Sequence, residues 1–189
     1  MSETKSQSLR YLSLTSDHAV AQAFWIITFA VLTAIGAQVE IPHKPVPYTL
    51  QTFFVLLAGA LLGPRNGFMS MMLYLGIGLV GFPVFSSAGF GLAKIVGPTG
   101  GYLLAFPVAA LVIGTIIGRK EHFLWALGAM VAGLLVIFTF GTLQLSVVTG
   151  MRLPEAFASG FLIFSWWDIL KLAGAAAIFR QIREKAPGS

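Results

Sequence analysis

Six apolar segments, separated by short polar or glycine- and proline-rich stretches, account for most of the chain. The first is about 20 residues long, which is the length that an α-helix needs to cross a bilayer. That length exceeds the apolar core of a signal peptide, so we interpret this segment as an uncleaved helix. The pattern predicts an all-α integral membrane protein with six transmembrane helices over residues 19–39, 49–62, 68–80, 102–117, 123–148 and 156–179.

Lysine and arginine are distributed unevenly between the two ends of these segments. One side carries most of them, namely Lys5, Arg10, Arg65, Arg119, Lys120, Arg180, Arg183 and Lys185. The other side carries Lys44, Lys94 and Arg152. Because the side richer in these residues is cytoplasmic, both termini are predicted to be cytoplasmic. We therefore expect a multi-pass protein of the cell membrane, with a lead over residues 1–18, a six-helix domain over 19–180 and a tail over 181–189.

Composition supports the membrane assignment and excludes several functions. Hydrophobic residues make up 57% of the chain and charged residues 10%, whereas soluble domains average about 25% charged residues. The chain has no cysteine, which excludes disulfides, thiol catalysis and thiolate metal sites. The net charge of +5 is explained by basic residues at the segment ends, so we expect no nucleic-acid partner.

A long outer loop, Gly81–Tyr102, is predicted between the third and fourth helices. Its glycines and prolines disfavour regular structure, and loops of this length are usually functional or disordered. Its many apolar side chains make disorder unfavourable.

The second and third segments hold only about 14 apolar residues each, about 21 Å of helix against a hydrocarbon core near 30 Å. We therefore expect the two outer loops, residues 40–51 and Gly81–Tyr102, to fold inward and cover a pocket.

Two ionisable residues interrupt the last apolar segment. Asp168 and Lys171 are three positions apart and share a helix face with Phe161, Phe164 and Ser165. Each charge costs about 3 kcal/mol or more inside a membrane span, and such residues commonly mark a functional site. One interpretation is a self-neutralising pair that only assists helix packing. We favour a polar ligand site, because a buried pair without further partners would be a net loss.

The residue types suggest a ligand with a compact polar ring on an apolar body. Asp168 offers acceptors, Lys171 offers donors and the aromatic neighbours offer a flat wall. Lys94 on the outer loop can meet a carboxylate at the other end of the ligand, although a solvated loop lysine is an equal alternative. The histidines lack metal-site spacing, and no nucleophile and base stand together. No phosphate-binding loop occurs in the sequence, so any ATP-driven step needs another subunit.

Small residues spaced four apart mark faces on three helices that permit close helix approach. They are Ala30 with Ala34, Gly59 with Gly63 and Gly114 with Gly118. For the glycine pairs we favour contacts within the chain.

With these residues in view, the chain resembles the biotin-specific substrate-binding subunits (S-components) of energy-coupling factor transporters. The resemblance covers roughly residues 30–171. It rests on Asp168 with Lys171 and on the motifs PYTLQ (47–51), LAGALLG (57–63), YLGIGLVGFPVF (74–85) and GPTGGY (97–102).

The resemblance implies a six-helix membrane protein with a biotin site near its outer face. A transmembrane coupling subunit and two cytoplasmic ATPases are the implied partners, so the chain would carry no cofactor or metal of its own. Asp168 and Lys171 would bind the ureido ring and Lys94 the carboxylate. The remaining implied site residues are Ser86, Gly97, Tyr102 and Phe164 around the ligand, and Ala30 with Ala34 against the coupling subunit. Lys94 and Ser86 stand where the family often has arginine and asparagine, and both keep donor character.

The principal hypothesis is therefore a non-enzymatic subunit for biotin uptake, which captures biotin with high affinity from the outer side and delivers it through an ATP-driven module. The alternatives are an intramembrane enzyme that uses Asp168 and Lys171 on a lipid-like substrate, a subunit for a different small vitamin, and a subunit with a packing role alone. The absence of a nucleophile near the pair favours binding over catalysis.

Overall fold

A computed structural model of the protein describes residues 19–118, 123–161 and 166–184. The described residues are almost entirely helical. The helices are α1 (Ala19–Gln38), α2 (Gln51–Val80), α3 (Gly91–Val96), α4 (Gly100–Ile117), α5 (Phe123–Thr149), α6 (Leu153–Gly160) and α7 (Trp166–Glu184). Two short strands, β1 (Glu40–Ile41) and β2 (Tyr48–Thr49), pair antiparallel between α1 and α2. The predicted lead and Phe164 lie outside these residues.

Helix α2 folds back on itself at Gly63. The backbone there leaves the helical region, with φ 78° and ψ −179°, and Pro64 follows. The side chain of Gln51 donates a hydrogen bond of 2.5 Å to the Tyr74 hydroxyl, although 23 residues of straight helix would span about 35 Å. Residues 51–62 therefore pack against residues 64–80. The break falls where the sequence predicts a turn between the second and third segments.

Glycines bring α2, α4 and α5 into close contact. A Cβ atom at Gly59 would lie 2.8 Å from the carbonyl oxygen of Ala110 in α4. Gly114 of α4 lies against Pro64 in the same way, and Gly141 of α5 lies against the ring of Tyr102. Such small residues allow helix backbones to approach each other closely in membranes. The glycine faces of α2 and α4 thus form contacts within the chain, as favoured from the sequence.

Helix α1 packs on α2 through one face and is exposed on the other. Ala30 is only 1% exposed and belongs to the hydrophobic core, and Ala34 is half-buried against that core. The opposite face exposes apolar side chains, namely Val20, Phe24, Ile27, Val31 and Ile35. Ala30 therefore packs inside the chain, whereas Ala34 stays partly accessible, and the contact of this face with a second protein stays a prediction.

Four of the described helices, α1, α2, α4 and α5, are long and apolar enough to cross a membrane by length and composition. The predicted sixth span, 156–179, corresponds to two described helices instead of one. Helix α6 ends at Gly160, and α7 begins at Trp166 and continues to Glu184. The first four residues of the predicted tail are therefore helical.

The outer loop contains more structure than its composition predicts. Phe85 and Gly89 pair through two backbone hydrogen bonds around a tight turn, Ser86–Ala88. Helix α3 follows, and α4 begins at Gly100, two residues before the predicted loop end. The expectation of a segment without helix was wrong, because GLAKIV (91–96) contains no proline and has its glycine only at the first position. Gly97 and Pro98 then end the helix.

Replacing Gly59 with alanine tests the close contact between α2 and α4. The added methyl group would meet the Ala110 backbone, and overpacking of this kind costs about 1–3 kcal/mol. We expect a lower melting temperature in detergent for Gly59→Ala. The matched control is Gly76→Ala, because a Cβ at Gly76 meets nothing within 4 Å and alanine favours helix. A melting temperature for Gly59→Ala equal to that of the wild type would contradict this packing.

Candidate functional site

A pocket lies beneath the two outer loops, between α2, α4, α5 and α7. Its empty space is roughly 610 Å³ when the open solvent at its mouth is counted. Its apolar wall includes Val46, Pro47, Tyr102, Leu103, Phe106, Ile137 and Phe138. Its polar groups come from Thr49, Gln51, Thr52, Ser86, Thr99, Asp168 and Lys171. An apolar cavity with a few convergent polar groups is typical of a ligand site.

The Asp168–Lys171 ion pair is buried in this pocket. The Lys171 Nζ atom lies 2.5 Å from Asp168 Oδ1, and the two residues are 6% and 2% exposed respectively. Lys171 Nζ also donates to the Thr49 carbonyl oxygen at 3.1 Å and to Thr52 Oγ1 at 2.7 Å. The pair therefore has partners beyond itself, and it connects α7 to the start of α2.

The two members of the pair have different capacities to bind a ligand. An ammonium group has three donors, and Asp168, Thr49 and Thr52 accept from all three. A carboxylate has about four acceptor positions, of which Lys171 occupies one on Oδ1. Asp168 can thus accept further N–H groups from a ligand. Lys171 holds the carboxylate in place and balances its charge.

A chain of hydrogen bonds positions Gln51 at the pocket. Thr49 Oγ1 donates to Gln51 Oε1 at 2.8 Å, and Gln51 Nε2 donates to the Tyr74 hydroxyl. The Tyr74 hydroxyl donates in turn to the Val84 carbonyl oxygen at 3.1 Å. Thr49, Gln51 and Thr52 were not among the predicted site residues. The PYTLQ motif (47–51), which ends directly before Thr52, was the sequence feature that could have pointed to them.

Tyr102 forms part of the aromatic wall of the pocket. Its hydroxyl donates to the Gly160 carbonyl oxygen at 2.9 Å, which ties α4 to the end of α6. The Phe138 ring meets the Tyr102 ring edge-on, with centroids 6.3 Å apart. Phe164 belongs to the predicted set as well, but it lies outside the residues that the structure describes.

Lys94 and Gly97 line a second, outer pocket that adjoins the first. Pro47, Ser86 and Thr99 border both pockets. Lys94 Nζ donates to the Ser86 carbonyl oxygen at 3.0 Å. The structure thus brings Asp168, Lys171, Ser86 and Tyr102 together in the inner pocket and places Lys94 and Gly97 at its mouth.

Gln144 of α5 donates hydrogen bonds to the backbone next to the outer pocket. Its Nε2 atom donates to the carbonyl oxygens of Ile95 at 2.7 Å and Gly97 at 2.9 Å. These carbonyls lie at the end of α3, where helical carbonyl groups lack partners in the helix itself.

Potential metal ligands are dispersed in the described part of the chain. No three histidine, aspartate or glutamate side chains within residues 19–118, 123–161 and 166–184 lie close enough together to hold an ion.

Comparisons of the sequence with known proteins point to one family. The BioY family model matches residues 5–188. A protein of Thermotoga maritima named "Biotin transporter BioY" is 40% identical over 156 residues, which cover 82% of this chain and 92% of that protein. A protein of Pyrococcus horikoshii named "Probable biotin transporter BioY" is 43% identical over 159 residues, which cover 84% and 93%.

A solved structure also matches. It is described as the S-component for biotin from an ECF-type ABC transporter. It superposes with a TM-score of 0.84 at 26% identity, covering 91% of this chain and 95% of the solved one. The fold and the sequence thus point to the same family, and the chain belongs to the BioY family.

Proposed function

We propose that this protein is the membrane subunit that captures biotin for uptake, with Asp168 as the main polar anchor. The observation that carries the proposal is a buried carboxylate with acceptor positions to spare, in an aromatic-walled pocket of a BioY-family chain. The ureido ring of biotin carries two N–H donors, which suit that carboxylate. Its bicyclic body suits the apolar wall.

The carboxylate of biotin would then lie toward the outer pocket. Lys94 gives one of its three donors to Ser86, so two remain for an anionic group at the mouth. The close approach of Gly97 and Thr99 to the same space allows backbone contact with the ligand. In this orientation, the ureido N–H groups of biotin would face the carboxylate of Asp168, and its own carboxylate would face the ammonium group of Lys94.

The geometry favours binding over catalysis. The family relatives carry the name of transporters, and BioY proteins are not enzymes. Lys171 would have to exchange protons with a substrate in the enzymatic alternative, but its donors are engaged by three protein acceptors. A general acid or base must reach the reacting atom. The hydrogen bonds of Lys171 to Asp168, Thr49 and Thr52 leave it no donor for a substrate.

We further propose six membrane crossings with cytoplasmic termini. The two halves of α2 would cross separately, because residues 51–62 pack back on residues 64–80. With α1, α4, α5 and α7, this makes six crossings. The outer loops would then face away from the cytoplasm, in keeping with the distribution of lysine and arginine. We propose the cell membrane as its location.

Uptake would depend on partner subunits. The sequence lacks a phosphate-binding loop, so hydrolysis of ATP is assigned to two cytoplasmic ATPases that act through a transmembrane coupling subunit. The Ala34 side of α1 is the proposed coupling contact. Ala30 is buried in the core, which leaves the half-buried Ala34 as the more accessible of the two.

Asp168→Asn tests the anchor. Asparagine keeps the size of the side chain but turns an NH2 group toward donors of the ligand and removes the counter-charge of Lys171. We expect biotin affinity to fall by about 2–3 kcal/mol, which is thirtyfold to a hundredfold in Kd measured by titration calorimetry. Glu155→Gln, at an exposed outer carboxylate, is the matched control and should bind normally. An Asp168→Asn protein that melts normally and binds biotin within threefold of wild type would contradict the proposal.

Lys94→Ala tests the orientation of the ligand. Only a charged tail loses a charge-assisted hydrogen bond when the ammonium group is removed. We therefore expect the variant to lose more affinity for biotin than for biotin amide, by about fivefold or more. Lys44→Ala removes the other lysine of the outer pocket and serves as the control. Equal losses for both ligands would place Lys94 away from the carboxylate.

Ala34→Trp tests the coupling contact. A bulky side chain prevents close helix approach, so the variant should co-purify with less than about a tenth of the coupling subunit retained by the wild type. Biotin binding, measured on the isolated subunit, should persist. Ile169→Trp, on the exposed face of α7, controls for bulk at the surface. Undiminished co-purification of Ala34→Trp would refute this assignment.

A further inference from the structure

The turn Ser86–Ala88 has an unusual backbone conformation. Ser87 has φ 54° and Ala88 has φ 51°, so two consecutive residues with side chains occupy the left-handed region. Residues other than glycine rarely adopt this region, and they persist in it only where their surroundings hold them. The contacts around the turn therefore determine whether it keeps its shape.

Two side chains from the end of α1 and from β1 hold this turn. Glu40 accepts from both donors of Ser87, with Oε2 3.1 Å from the backbone nitrogen and Oε1 2.7 Å from Oγ. Gln38 uses both ends of its amide. Its Oε1 accepts from the Ala88 backbone nitrogen at 3.2 Å, and its Nε2 donates to the Phe85 carbonyl oxygen at 3.0 Å. These four hydrogen bonds join the end of α1 and strand β1 to the second outer loop.

The same turn carries groups of the binding site. Ser86 is 6% exposed and borders both pockets. Its carbonyl oxygen accepts from Lys94, so the turn also fixes the lysine at the mouth. Phe85 precedes the turn and is fully buried, with its ring against Gly78. A change in the backbone at Ser87 would therefore move Ser86 and Lys94 while Phe85 stays anchored.

We propose that Gln38 and Glu40 are positioning residues for biotin, which hold the Ser86–Ala88 turn so that the mouth of the pocket keeps the ligand in place. This inference rests on the proposed function. Both oxygens of Glu40 are directed to Ser87, so Glu40 acts through the turn. A carboxylate suits this role because charge-assisted hydrogen bonds are stronger than neutral ones, and an amide at position 40 would offer one acceptor group for two donors.

The experiment measures biotin dissociation from the purified full-length chain. Four proteins are compared in a cycle: wild type, Glu40→Ala, Ser87→Ala and the double variant. We expect Glu40→Ala to raise the dissociation rate constant about tenfold and Ser87→Ala about threefold, since the second removes only one of the two hydrogen bonds. Association should change by less than about twofold, because related complexes differ mainly in dissociation.

The double variant distinguishes a shared contact from two separate ones. If Glu40 acts through Ser87, the double variant should dissociate no faster than Glu40→Ala alone. The melting temperature of the ligand-free proteins should stay within about 2 °C of wild type, because the hydrogen bonds between Glu40 and Ser87 are exposed at the surface. Ile41→Ala changes the exposed neighbour of Glu40 in β1 and should leave dissociation unchanged.

Dissociation of Glu40→Ala within twofold of wild type would overturn the inference, and so would additive effects in the double variant. Faster dissociation accompanied by an equal effect of Ile41→Ala would overturn it as well, because any change in the loop would then suffice. A wild-type chain that does not retain biotin would instead contradict the proposed function.

Discussion

The burial of one ion pair constrains the rest of this structure. A buried charged group is costly unless it is paired and hydrogen-bonded, and Asp168 and Lys171 are both almost fully buried. Thr49 and Thr52 satisfy the remaining donors of Lys171, which offsets part of this cost. That requirement places the start of α2 beside α7, and with it the strand that ends the first outer loop. The pocket forms where these segments meet.

Close helix packing supplies the remaining walls. Glycines at the contacts between α2, α4 and α5 allow the backbones to approach, and the break at Gly63 returns α2 toward the outer loops. Tyr102 and Phe138 then face the same space as Asp168. A polar anchor and an aromatic wall in one cavity suit the ligand that we propose, which is polar at its ring and apolar along its body.

The sequence predicts the parts of this site that depend on local spacing. Asp168 and Lys171 could be paired because residues three apart share a helix face, and the break in α2 could be expected from glycine and proline at 63 and 64. Thr52 could not be assigned, because its contact joins residues 119 positions apart. The left-handed backbone at Ser87 also escaped prediction, since it depends on side chains from another loop.

The most direct test of the central claim is a structure of the protein with bound biotin, at a resolution that orients the ureido ring. The account predicts a ureido nitrogen about 2.7–3.2 Å from a carboxylate oxygen of Asp168, with the carboxylate tail of biotin near Lys94. Biotin bound in the reverse orientation, with its carboxylate at Lys171, would contradict the account. Biotin bound outside the pocket would contradict it too.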